Sequence, residues 1–434
     1  MNSVWKDTVA RPAFKSLKND IKTDVLIIGG GVAGILCAYE LERRKVSYVL
    51  AESHTICGGI TENTTAKITS QHGLIYHRLI REFGEETALK YFKANQEAVS
   101  KYRELCAEID CDFEEKDAYV YSSDNLRKIE KELYALERIG VSAEFTKELR
   151  LPLNAVGAIK FKNQAQFNPL KFIFAISEGL NIYEHTPVRE LKGTTAVTDS
   201  GKIYAKNIVV ATHFPFVNKH GAYFMKMYQQ RSYVIGLENA QDVEGMYIDA
   251  AENGLSFRNY KNILLLGGGG HRTGKKGGNW EELRNFAKKY YPHSEEKYHF
   301  AAQDCMTLDG IPYIGAYSSS TKNMFVTTGF NKWGMTSSMV SAMILCDLLT
   351  GKDNDYTKIF SPSRSILRQQ LALNAFEAVS GLIYPSMKRC PHLGCALKWN
   401  PAEHSWDCPC HGSRFSQDGK IIDNPAVYGI KDKL

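Results

Sequence analysis

Residues 24–34 read DVLIIGGGVAG, and no other stretch of this 434-residue chain narrows its possible folds as far. Asp24 opens an apolar run, Val25 to Ile28, of the kind found in a parallel strand buried on both faces. Gly29, Gly30, Gly31, Val32, Ala33 and Gly34 follow and fit G-x-G-x-x-G. Residues 35–42 then read as a helix, and residues 47–51 as a second strand ending in Glu52. In that frame Gly29 permits a tight turn, Gly31 lets a pyrophosphate approach the backbone, and Gly34 lets the helix pack on the strand. The helix start offers free N–H groups and a positive dipole end. Glu52, about 20 residues on, suits the ribose hydroxyls. A dinucleotide is expected here, against Gly29, Gly31, Val32, Ala33, Gly34, Glu52 and Ser53. A site near the N-terminus with a long chain behind it points to FAD rather than NAD.

Composition bounds the rest. A length of 434 residues suggests several compact units, and 44% hydrophobic with 24% charged residues is ordinary for a globular protein. The net charge of +6 is spread along the chain, so nucleic acid is not an expected partner. No apolar run reaches the roughly 18 residues that span a bilayer, and the N-terminus has no secretory h-region. A cytoplasmic protein is expected. Six cysteines, Cys37, Cys57, Cys106, Cys111, Cys305 and Cys346, are scattered and read as small buried hydrophobes. The other four, Cys390, Cys395, Cys408 and Cys410, cluster near the end. In a reducing compartment such a cluster points to metal or redox chemistry.

Later segments extend the nucleotide reading. They include HTPV at 185–188, IVVAT at 208–212, DGIPYIG at 309–315 and GFNKWGMT at 329–336, which leads into an apolar helix. Together with G-x-G-x-x-G and Glu52, they resemble the D-amino-acid oxidase/glycine oxidase superfamily of FAD oxidoreductases over roughly the first 350 residues. The resemblance implies an α/β FAD-binding Rossmann-like domain of the glutathione-reductase type with an inserted α+β substrate lobe. The FAD-binding parts are then expected at about 20–70, 151–215 and 301–350, and the substrate lobe at about 71–150 and 216–300. It implies adenine-side backbone contacts from Val188, and further FAD contacts from Ala211 and Thr212. It also implies a loop along the flavin that carries Gly59, Thr64, Thr65 and Ala66. Gly329, Trp333, Gly334, Met335 and Thr336 would open a helix toward the flavin pyrimidine edge, where a helix N-terminus stabilises negative charge. Lys67 is a candidate cation beside the flavin or a substrate carboxylate. His271 and Arg272 are candidates to face the substrate, as are His72, His77 and His213. Residues 263–274 (ILLLGGGGHRTG) do not fit a second G-x-G-x-x-G, so no NAD(P)H site is expected.

Near the C-terminus, Cys390 and His392 form C-x-H, and Cys408 and His411 form C-x-x-H after 15 intervening residues. Two loops giving one thiolate and one imidazole each match a 2Fe–2S centre with two Cys on one iron and two His on the other. A zinc site is the alternative for such a cluster. The text CPHLGCALKWNPAEHSWDCPCHGSRFSQDG resembles Rieske ferredoxin domains, implying Cys390 and Cys408 on one iron and His392 and His411 on the other. It further implies a Cys395–Cys410 disulfide between the loops and a Ser413 hydroxyl toward a bridging sulfide. The expected module is small, all-β and shortened, at 386–434, after a linker and helix at 351–385.

The combined expectation is an FAD-dependent dehydrogenase. It oxidises a small-molecule substrate, an amine or amino acid, and passes electrons singly from FAD to the cluster and an external acceptor protein. The alternatives are the reverse flow, with cluster and an external donor reducing the substrate, and a redox sensor or electron carrier without turnover.

Overall fold

A computed structural model describes residues 2–251, 254–365, 369–386 and 388–430. The apolar run after Asp24 becomes the strand Ile21–Ile28, at the middle of an eight-stranded sheet. Lys202–Val210 and Tyr48–Ala51 flank it in parallel, with Ile28 opposite both Val210 and Ala51. Met324–Thr328 and Ile182–Tyr183 continue the parallel order outward, and Tyr313–Ala316 closes one edge antiparallel. Strands this apolar need cover on both faces. The helices Val32–Arg43 and Gly334–Leu349 provide it on one side and pack against each other. All strand ends that the sequence marked for FAD (Ile28, Ala51 and Val210) therefore come out on one edge, where a doubly wound sheet binds its ligand.

A nine-stranded sheet forms the second lobe, eight strands in the order Glu295–Thr307, Met227–Glu238, Ile263–Arg272, Ser256–Tyr260, Met246–Asp249, Glu114–Ser122, Gly157–Gln166, Lys67–Ile68 and a ninth, Glu144–Thr146, paired with Gly157–Gln166 off this path. It corrects the expected division of the chain in two places. Gly157–Gln166, assigned to a nucleotide-binding part, finds its hydrogen bonds on the antiparallel partner Glu114–Ser122. Glu295–Thr307 runs through the expected boundary at 301 because it pairs along its length with Met227–Glu238. The glycine-rich stretch at 263–274 lies mostly in a central strand, with no helix directly behind it. All six scattered cysteines are buried.

The C-terminal module is a four-stranded antiparallel sheet, Lys398–Asn400, Ser405–Asp407, Arg414–Ser416 and Ile421–Asp423. Its own buried apolar core is little more than the four cysteines, Leu397, Phe415 and Ala426. So small a core is marginal alone. A buried ion network ties it to the second sheet instead. Arg231 donates through Nε to Glu403 Oε1 at 3.0 Å. Arg414 reaches Glu403 at 2.8 Å, and Asp407 and Asp423 at 3.0 Å each. The linker segment carries the helix Gln369–Ile383. Among the described residues no helix is long and apolar enough to cross a membrane.

Removing one member of a buried ion network strands its partner at a cost of about 3–5 kcal/mol. Arg231→Met is therefore expected to lower the unfolding free energy read from denaturant titration by that amount. Adding Glu403→Gln should recover part of it.

Candidate functional site

The turn after Ile28 is shaped by contacts only glycine allows. At Gly29 (φ +110°) a Cβ would stand 2.6 Å from the Ala211 carbonyl oxygen, and at Gly34 it would stand 1.9 Å from the Gly29 carbonyl oxygen. Both glycines serve the packing of turn, strand and helix. Gly31 differs: its Cβ would meet only Thr61 Oγ1, at an ordinary 3.4 Å. The space before it is open, and the helix Val32–Arg43 behind it has no side-chain cap. Its first N–H, that of Val32, is 3.1 Å from Thr61 Oγ1. Glu52 grips the turn, accepting from the Gly30 N–H at 2.6 Å and, on its other oxygen, from Ser53 Oγ at 3.0 Å and the His54 N–H at 2.8 Å. Val188 opens a hairpin strand just beyond Thr186, whose N–H bonds the Glu52 carbonyl at 2.8 Å. An open glycine cradle, a helix start whose N-cap residue has no side chain and a carboxylate beside them fit a dinucleotide.

Two residues far from the motif hold the loop expected along the flavin. Trp5 Nε1 donates to the Thr64 carbonyl at 2.8 Å, and the buried Arg258 donates to the carbonyls of Thr65 and Ala66 at 2.8 and 2.9 Å. Lys67 follows, 3.2 Å from Thr65 Oγ1. Burial, and then the Arg258 charge, press its pKa down to about 7. Gly59 has no protein atom within 4 Å of an added Cβ. On the far side, Gly329 (φ +72°) turns the chain toward the helix Gly334–Leu349, which starts without a side-chain cap and buries Met335 and Thr336. Trp333 stacks on His72 with centroids 4.7 Å apart. His72 also meets Tyr91, the Thr69 carbonyl and Thr336, and burial lowers its pKa to about 3. Burial holds the His72 ring in its neutral form among these partners.

The two cluster loops are near copies. Cys390 and Cys408 each accept, through the carbonyl, the N–H of a glycine four residues on, Gly394 and Gly412, at 2.9 Å. Both glycines have φ +80°. Cys395 and Cys410 form a disulfide that joins the loops. That leaves Cys390, Cys408, His392 and His411. Cys408 and Ser413 lie within hydrogen-bonding reach of the Cys390 thiol and draw its pKa down. The two imidazoles are 5.0 Å apart, edge to face. His411 Nδ1 is buried with no hydrogen-bond partner, while His392 Nε2 is 2.7 Å from Asn218 Oδ1, so its lone pair sits on Nδ1. Two thiols and two Nδ1 atoms fit a Rieske 2Fe–2S cluster, and the disulfide takes away the extra sulfurs a zinc site would use.

The loops are held from the oxidoreductase side. Gln229 Nε2 donates to the His411 carbonyl at 2.6 Å, and Gln303 Nε2 to the Gly412 carbonyl at 2.8 Å. Gln303 also bonds Gln229 at 2.6 Å and accepts from Thr273 at 2.9 Å. His411 hydrogen-bonds the Phe224 backbone, and its ring lies 6.2 Å from Phe214 and 6.0 Å from Phe224. Asn424 donates to the carbonyls of Thr212 and Phe214, the latter at 2.7 Å. Residues 212–224, directly after the strand that ends beside the nucleotide turn, therefore touch both His392 and His411.

His271 and Arg272, both candidates to face the substrate, line one cavity with Tyr228, Gln230 and Glu282, but their side chains meet different partners. Neighbours in a strand point to opposite faces. His271 stacks on Tyr233 at 5.7 Å, while Arg272 packs over Tyr228 and donates to Asn374 Oδ1 at 3.0 Å and the Pro409 carbonyl at 3.3 Å. His77 donates its backbone N–H to Glu132, and His213 is buried with a lowered pKa. Asp304, given no role in the sequence reading, is held above its usual pKa by burial, against the pull of Lys332 and His213.

The FAD dependent oxidoreductase family profile matches residues 24–348, and the Rieske 2Fe-2S domain profile matches residues 351–432. This chain belongs to the FAD dependent oxidoreductase family and carries a Rieske domain. A Bacillus subtilis protein described as Rieske 2Fe-2S iron-sulfur protein YhfW is 36% identical over 98% of this chain and 96% of its own length. The cytochrome b6-f complex iron-sulfur subunit 3 of a Nostoc species is 48% identical over 42 residues, covering 10% of this chain and 24% of that protein. Among solved structures, glycine oxidase from Geobacillus kaustophilus superposes with a TM-score of 0.66 at 20% identity, covering 80% of this chain and 99% of that one. L-proline dehydrogenase from P. horikoshii gives 0.67 at 17% identity, covering 80% and 98%. These structures share the fold. The chain is thus an FAD-dependent oxidoreductase with a 2Fe–2S cluster of the Rieske type.

Two glycine substitutions separate fold from ligand. Gly31→Val is expected to keep the melting temperature of the apoprotein and the cluster EPR signal but to lose flavin absorbance on purification. Gly34→Val, which drives a side chain into backbone, should cost about 1–3 kcal/mol or more of stability as well.

Proposed function

We propose that this oxidoreductase dehydrogenates an amine or amino acid and that the electrons leave singly, through the cluster, to an external acceptor. FAD supplies two-electron acceptance and one-electron release, the conversion that joins C–N bond oxidation to an iron–sulfur cluster. The observation that carries the reading is the histidine edge of the cluster loops, seated on residues 212–224 through Asn218 and the Phe224 backbone. An edge free in solvent would suit exchange with a separate protein. An edge buried against the segment that leaves the FAD-binding strand suits exchange within the chain.

A row of side chains supports a zwitterionic substrate. Arg272, Gln230 and Asp304 stand directly opposite one another on three adjacent strands, so they share one face of the sheet. Arg272 keeps Nη2 buried with no hydrogen-bond partner among the described residues, a seat for a carboxylate oxygen. Asp304, two strands away, can accept from an ammonium group. Lys67 can hold its lone pair near neutral pH, because burial and Arg258 disfavour its charge, and so can take a proton at Nζ. His271, on the opposite face, has no part in this arrangement.

An anaerobic panel of amines and amino acids tests the reading, with flavin bleaching as the signal. Bleaching by none of them would reject the dehydrogenase assignment. With an active substrate, kcat/KM should rise with pH through about 7 as Lys67 loses its proton. Lys67→Gln should flatten that limb and lower the rate by about 10²–10⁴-fold. Asn218→Leu should leave bleaching unchanged but slow cluster reduction about 10–100-fold, the usual cost of losing a partner behind a metal ligand.

A further inference from the structure

The helix Gln369–Ile383 is packed with its polar side inward. Asn374 and Glu377 face the protein, where Asn374 meets Arg272 at 3.0 Å and the Met225 carbonyl at 3.2 Å, and Glu377 pairs with Lys275 at 2.6 Å. Gly381, on the same side, lies so close to the cluster disulfide that a Cβ there would be 2.5 Å from Cys410 Sγ. The apolar residues point out. Leu373 is 56% exposed, Phe376 68%, Val379 55%, Leu382 50%, Ile383 76% and Tyr384 54%. A helix whose polar face is held by an ion pair and two hydrogen bonds cannot rotate to hide this stripe. Contiguous exposed apolar surface of this kind marks a contact site.

Charge and shape select the occupant. Between Gln369 and Asn400 the chain has one acidic residue, Glu377, and Lys275 already neutralises it. The cations in the same stretch gather at the C-terminal end of the stripe. Arg389 donates to the Leu382 and Tyr384 carbonyls, Lys398 lies 5.4 Å from the Tyr384 ring, and Lys388 is one residue before Arg389. A second copy would bring the same positive charge against this one. The stripe is also the outward side of a single helix. An apolar helix face beside lysines and arginines suits the interface of an anionic bilayer, which needs no shape match. We propose that this face is a peripheral docking site for anionic lipid membranes. Docking there holds the cluster disulfide just behind the helix that touches the lipid, whichever way electrons flow.

Flotation of the purified holoenzyme with phosphatidylcholine vesicles, with and without about 30% phosphatidylglycerol, tests this. Binding is expected only with the anionic lipid. Lys398→Gln should weaken it about fivefold, the worth of one cation near such a surface. Phe376→Ser combined with Ile383→Ser should abolish it, with flavin absorbance and cluster EPR retained as evidence of folding. Equal recovery with neutral and anionic vesicles would overturn the proposal, as would undiminished binding by the double variant. So would a light-scattering mass showing an oligomer that the double variant converts to monomer, since the stripe would then belong to a second copy.

Discussion

The structure depends on how the second sheet holds two carbonyl oxygens of a cluster loop. Gln229 and Gln303, on neighbouring strands, reach the carbonyls of His411 and Gly412 and bond each other. Buried amides left without partners are costly, and the three bonds of this set satisfy one another. They fix the loop where Gly412 has no side chain to keep Gln229 away. With the loop fixed, the Arg231–Glu403–Arg414 ion network can close, and a module with little apolar core of its own becomes part of the larger body. The cluster ligands are thus positioned by the oxidoreductase sheet as much as by their own loops.

The same contacts link site to site. The sheet that presents Arg272, Gln230 and Asp304 on one face presents Arg231 and Tyr233 to Glu403 on the other. Arg272 itself donates to Pro409, between the two cluster-loop cysteines. The proposed substrate row and the cluster loop therefore share strands, and a shift at one face is felt at the other.

How much of this could be read from the sequence follows from distance along the chain. The nucleotide turn and the two cluster loops were legible because each is a run of adjacent residues whose glycines and cysteines serve one local geometry. Asn218, Asn424 and Gln229 were not, because their partners lie 174, 212 and 182 residues away and nothing local marks an asparagine or glutamine for such a contact. His271 and Arg272 are adjacent in the sequence, but in a strand alternation sends their side chains to opposite faces. Residues 366–379 read as a helix, of which 366–368 lie outside the described residues and the rest is helical. Periodicity tells that a helix has two unlike faces. Which face turns inward depends on what it meets, here Arg272 and Lys275.

The central claim is that flavin and cluster exchange electrons inside one chain. Rapid-freeze EPR after mixing with a bleaching substrate under anaerobic conditions tests it most directly. The account predicts that the reduced-cluster signal follows flavin reduction at a rate unchanged by dilution of the protein. A cluster that stays oxidised beside a fully reduced flavin, or a rate that falls in proportion to protein concentration, would contradict it.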